Sequence, residues 1–147
     1  MDEGRIERLE SSFRLIAPRG PELIDHFFAH LFSKNPALRP LFPRDMTAQK
    51  QKFLASIALV VKNFRRPESL RQPFVNLGRR HVGYKALPEH FPIMRETLIG
   101  VMRDMTGPAW NSQFTEDWTT ILNLVLAMML EGRDLELKST KYAMSAR

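Results

Sequence analysis

In Leu77-Gly78-Arg79-Arg80-His81-Val82-Gly83-Tyr84 a single histidine falls on the apolar stripe of a helix. Phe74, Leu77 and His81 follow one another at spacings of three and four, which turns the imidazole toward the buried face. Gly83 and, beyond it, Pro88 end that helix. A neutral imidazole buried at a helix end has one nitrogen for a metal and one to donate to a nearby carbonyl. A core histidine satisfied by its neighbours would look the same, so the segment by itself leaves both readings open.

Outward from this segment the periodicity is helical in both directions. Toward the N-terminus, about Arg5 to Ile16 carries Ile6, Leu9, Phe13 and Ile16 on one face before Pro18, Gly20 and Pro21 break it. Leu23, Phe27, Phe28 and Leu31 stripe a second helix that Asn35-Pro36 ends. Pro40 and Pro43 bracket Leu41-Phe42, a stretch suited to one tight helical turn. From about Thr47 to Asn63 most of the circumference is apolar, which predicts a helix buried on more than one side. Toward the C-terminus, Pro88-Glu89-His90-Phe91-Pro92 opens a helix to about Met105, and Gly107-Pro108 stops it. A last helix is predicted from about Thr115 to Leu130, with a fraying polar tail over 134–147. No alternating pattern, repeat or linker interrupts this, so the chain reads as all-α, one domain over 1–147 with its core at about 5–133.

Composition narrows the chemistry. The 147 residues suffice for a core that needs no covalent staple. The absence of cysteine excludes disulfides, thiolate zinc sites and a thiolate haem ligand. No run reaches the roughly 18 apolar residues of a membrane span, and Met1-Asp2-Glu3-Gly4-Arg5 lacks the apolar core of a signal peptide. A cytoplasmic protein is expected. The 22 basic and 16 acidic residues give +6, but the cations are dispersed from Arg5 to Arg147 without a basic helix or finger motif. That pattern reads as a solvated cationic surface with no nucleic-acid partner, and it suits an acidic partner or an anionic cofactor.

Phe28, Phe42 and Phe53 come from three different segments and can converge on one cavity. Gln49 lies one turn before Phe53 and shares its face, with Lys52 at the edge. A Phe-rich core with Gln49 exposed is one reading. A flat apolar pocket for a planar cofactor, between His81 and Gln49, is the other.

With these residues in order, the chain resembles the globins, and among them the bacterial single-domain globins akin to the haem domain of flavohaemoglobins. Phe27-Phe28, Asn35-Pro36, Leu41-Phe42, Gln49-Lys50-Gln51-Lys52-Phe53-Leu54, the His81 segment, Pro88-Glu89-His90-Phe91-Pro92-Ile93 and Trp118 carry the resemblance over about residues 5–133. The interval of 32 residues from Gln49 to His81 matches that between distal and proximal positions. The resemblance implies a globin fold of about seven to eight helices around haem b. His81 would be the proximal iron ligand, Phe42 the corner phenylalanine wedging the porphyrin, and Gln49 the distal donor. Phe53 would press over the iron, Phe91 would line the proximal side, and Lys52, Arg80 and Tyr84 would meet the propionates.

Three departures bear on function. The distal tyrosine of the flavohaemoglobin pattern falls at Phe28, so its hydroxyl is lost. The proximal tyrosine, ten residues after the histidine, falls at Phe91. The glutamate expected fifteen residues after Trp118 falls at Arg133, with Glu131 two residues out of register. A peroxidase-like role is therefore not expected, and no reductase domain follows within the 147 residues. The expected function is reversible binding of a diatomic gas (oxygen, nitric oxide or carbon monoxide), with oxygen binding or transport foremost. Nitric-oxide dioxygenase activity would need a separate reductase. A haem-based gas sensor acting through a partner, and a haem-free interaction domain, are the alternatives.

Overall fold

Proline and glycine cut the chain where the sequence predicts. The computed structural model describes residues 1–145. Its α-helices are α1 (Glu3–Arg14), α2 (Gly20–Lys34), α3 (Thr47–Lys62), α4 (Arg71–Gly83), α5 (His90–Thr106) and α6 (Ser112–Ser145). Four 3-10 turns join them, at Ala17–Arg19, Pro36–Leu41, Pro67–Leu70 and Gly107–Ala109, and no strand occurs among the described residues. Each 3-10 turn has a proline at its first or second position, where the missing N–H costs nothing. Pro40 inside Pro36–Leu41 keeps the corner from widening into an α-helix.

Asp2 starts α1 by accepting the Arg5 N–H at 2.8 Å, leaving Ile6 and Leu9 on the buried side. That side rests on α6 through a buried cluster. Asp117, 1% exposed, accepts from Arg5 Nε at 3.0 Å and from Arg8 Nε at 2.7 Å. The next residue, Trp118, donates from its indole to the Ser12 hydroxyl at 2.9 Å, and Ser12 donates onward to the Leu9 carbonyl at 3.0 Å. Leu23, Phe27, Leu31, Leu70, Met102 and Ile121 are among the other fully buried core residues. Each such side chain contributes roughly 1.5–3 kcal/mol relative to exposure.

The crossing of α4 on α6 has no room for a side chain at two glycines. A Cβ on Gly78 would strike the Met129 carbonyl oxygen, and one on Gly132 would strike that of Val75. Arg71–Glu131 and Arg79–Glu136 pairs flank the crossing. This close packing sets the depth of the helix that carries His81.

Two expectations are corrected. In α3 only Ile57 and Val60 are buried, and Phe53, Leu54, Leu59 and Val61 are partly covered, because α3 walls a cavity on one side. The polar tail does not fray within the described residues: α6 begins at Ser112 and runs through Ser145. Glu136 anchors its first extra turn to Arg79 at 3.1 Å. Beyond Gly132 no glycine or proline interrupts a run rich in good helix formers. Residues 146 and 147 of that tail lie outside the described residues.

Candidate functional site

His81 sits in the last turn of α4, two residues before its end. Its Nδ1 lies 2.8 Å from the carbonyl oxygen of Leu77, one turn back. A carbonyl can only accept, so Nδ1 carries the proton and the Nε2 lone pair is left for a ligand. Burial pushes the ring's pKa down, Arg80 adds to this, and the Leu77 bond opposes it. The imidazole is thus held neutral and in one tautomer. Just past it, Lys85 adopts a left-handed φ of 61°, which folds the chain back so that Tyr84 and Ala86 both donate to the His81 carbonyl. Tyr84 and Phe91 meet the imidazole edge-on at 5.4 and 6.3 Å between ring centres.

Facing elements supply an aromatic wall. Phe28 of α2 meets Phe42 edge-on at 5.7 Å and Phe53 of α3 at 5.5 Å, while Phe53 stacks on Phe27 at 4.4 Å. Between these walls and α4 lies a cavity of about 780 Å³. Phe28, Phe42, Gln49, Lys52, Phe53, Arg80, His81, Tyr84 and Phe91 all line it, so every residue singled out from the sequence is brought to one place. Lys52, Arg80 and Tyr84 are exposed and form its rim. Gln49 is half-buried and shares the α3 face with Phe53, as its spacing predicts.

His90 and Arg95, both on α5, also line the cavity and were not anticipated. Only His90 had a sequence signal, its place in Pro88-Glu89-His90-Phe91-Pro92. On the proximal side, among the described residues, no aspartate or glutamate lines the cavity beside His81. Glu131 is paired with Arg71 on the α4–α6 surface, and Arg133 does not line the cavity. His26 and His30 lie in a separate small recess with Arg19 and Asp104.

The cavity falls within the roughly 300–1,000 Å³ of small-molecule and cofactor sites. An apolar, aromatic slot with one imidazole nitrogen left unprotonated would suit a planar metal macrocycle, with His81 as the residue that would hold its metal. The globin family model matches residues 25–129, and the chain belongs to that family. The flavohemoprotein of Vibrio cholerae is 27% identical over 124 residues, covering 81% of this chain and 31% of that protein, so the chain spans about a third of such a relative. A bacterial globin from Campylobacter jejuni superposes with a TM-score of 0.78 at 18% identity, over 95% of this chain and 99% of that one. The flavohemoglobin of Malassezia yamatoensis, solved with bound FAD and heme, superposes with a TM-score of 0.73 at 18% identity, over 94% of this chain and 37% of that one. Family and fold imply haem binding.

Proposed function

We propose that this chain binds haem b through His81 and uses it to bind a diatomic gas reversibly, with oxygen binding or transport as its principal role. The observation that carries this reading is His81, whose Nδ1 is held by the Leu77 carbonyl in the wall of an aromatic cavity and whose Nε2 is left for a ligand. When bound, haem supplies the iron at which the gas is held. His81 orients the group through Nε2, and the carbonyl partner, a weaker acceptor than a carboxylate, leaves the imidazole a modest electron donor. Phe28, Phe42 and Phe53 exclude water from the slot, which protects the reduced state and leaves reversible binding as the favoured chemistry. Gln49 would be the distal donor, its amide available to a polar gas ligand in the cavity.

Two further activities have specific support. Nitric-oxide scavenging with a separate reductase suits the cationic rim of Lys52 and Arg80, which an acidic electron donor could approach. A haem-based gas sensor suits Phe28, which lacks a stabilising hydroxyl, and the exposed end of α6 with Leu135, Leu137 and Tyr142 as a surface for a partner. Purified ferrous protein tests the ranking. A Soret band with an oxygenated form stable for minutes supports the carrier. Rapid autoxidation favours the sensor, and no Soret band removes all three.

A further inference from the structure

His90 opens α5 in a reciprocal pair with Leu87. Its backbone N–H donates to the Leu87 carbonyl at 2.9 Å, and the Leu87 N–H donates to its Nδ1 at 3.0 Å. A nitrogen that accepts carries no proton, so the ring's hydrogen sits on Nε2. His90 therefore presents the reverse of His81: a donor where His81 presents a lone pair. Both line the same cavity.

The polar lining of that cavity is one-sided. Among the described residues no aspartate or glutamate lines it, whereas Lys52, Arg80 and Arg95 do. Arg95 is engaged elsewhere, donating to Glu96 at 3.0 Å and to Asn123 at 2.8 Å. A cavity with cations at its rim, a fixed N–H donor and no carboxylate of its own matches a ligand that brings its own carboxylates. We propose that His90 donates from Nε2 to a carboxylate of the haem, making it a cofactor-binding residue in addition to Lys52, Arg80 and Tyr84. This rests on the haem reading above.

The alternative role, closing the Leu87 turn, is separated by changing the ligand as well as the protein. Haem loss to an excess of an apoprotein acceptor is measured for wild type, His90→Ala and His90→Asn, with ferric protoporphyrin IX and with its dimethyl ester. Asparagine keeps a short acceptor for the Leu87 amide but is too short to replace the imidazole donor. Both variants should lose protoporphyrin about tenfold faster than wild type, the scale of one hydrogen bond to a charged group. With the dimethyl ester, whose carboxylates are uncharged, wild type and variants should agree within about twofold. Equal rates with protoporphyrin would overturn the proposal. So would the same acceleration with both porphyrins, which leaves His90 holding the turn alone. Wild type without a Soret band would instead remove the haem reading on which it rests.

Discussion

Gly78 and Gly132 meet at the crossing of α4 and α6, each pressed on the backbone of the opposite helix. The atoms in the way are carbonyls, which cannot rotate aside as a side chain could. Gly78→Ala and Gly132→Ala should therefore each cost about 1–3 kcal/mol or more, the scale of an overpacked core. Gly78→Ala should in addition weaken haem retention, because it displaces the helix three residues before His81. Thermal melts followed both by circular dichroism and at the Soret band check this. A variant as stable as wild type would mean that the helices stand further apart.

His81→Ala should abolish stable haem binding, and added imidazole should restore it. His90 is the other histidine on the cavity wall, and its Nδ1 is occupied by the Leu87 amide. Haem retained without imidazole, with an unchanged ferrous spectrum, would sink the assignment of His81.

The ferrous protein without added ligand should be five-coordinate and high-spin. Gln49 offers an amide, a poor ligand for ferrous iron, and His26 and His30 lie in a different recess. A sharp low-spin spectrum at neutral pH would contradict this.

Gln49→Leu should accelerate oxygen release while changing carbon monoxide release far less. A bond to a partly charged oxygen contributes ~1.5–3 kcal/mol, or on the order of tenfold to a hundredfold in rate. Phe28→Tyr should slow oxygen release, since it adds a hydroxyl to a ring that is 2% exposed and lines the cavity. Stopped-flow displacement of oxygen measures both. An unaltered rate in Gln49→Leu would show that this side chain makes no bond to the gas.

Glu22 should titrate at about 2, against an ordinary 4.5, because Arg19 donates to both of its carboxylate oxygens, with a smaller contribution from His26. A lowered carboxylate pKa contributes stability that is fully present above 4.5 and lost as the pH falls through 2. Both side chains are 45% exposed, so salt should weaken the effect. Carbon-detected NMR titration should place the Glu22 midpoint near 2 in wild type and return it to the ordinary range in Arg19→Gln.

The fold and most of the site were legible because both are written in spacings. The stripe Phe74, Leu77, His81 needs only the helical period, and the prolines mark the corners without reference to tertiary structure. What stayed hidden depends on contacts across the chain. Gly132 looks like any helical glycine until Val75 stands against it. Asp117 reads as a surface residue until Arg5 and Arg8 close over it from more than a hundred residues away. His90 reaches the cavity because of the turn at Lys85, whose left-handed φ no local pattern announces. The α3 face was overestimated because periodicity counts apolar residues alike whether they meet a core or line a cavity.

The clasp of Asp117 on Arg5 and Arg8, with Trp118 on Ser12, also bears on the order of events during synthesis. α1 is held by α6, which is made more than a hundred residues after it, so until α6 emerges α1 lacks that partner for its buried face. A ribosome adding about 5–20 residues per second leaves that face exposed for several seconds, longer than the microsecond to millisecond closure typical of helical domains. The nascent chain is therefore most vulnerable to proteases and to aggregation just before α6 emerges. Circular permutants that place α1 directly after α6 would remove that interval while keeping every contact of the clasp.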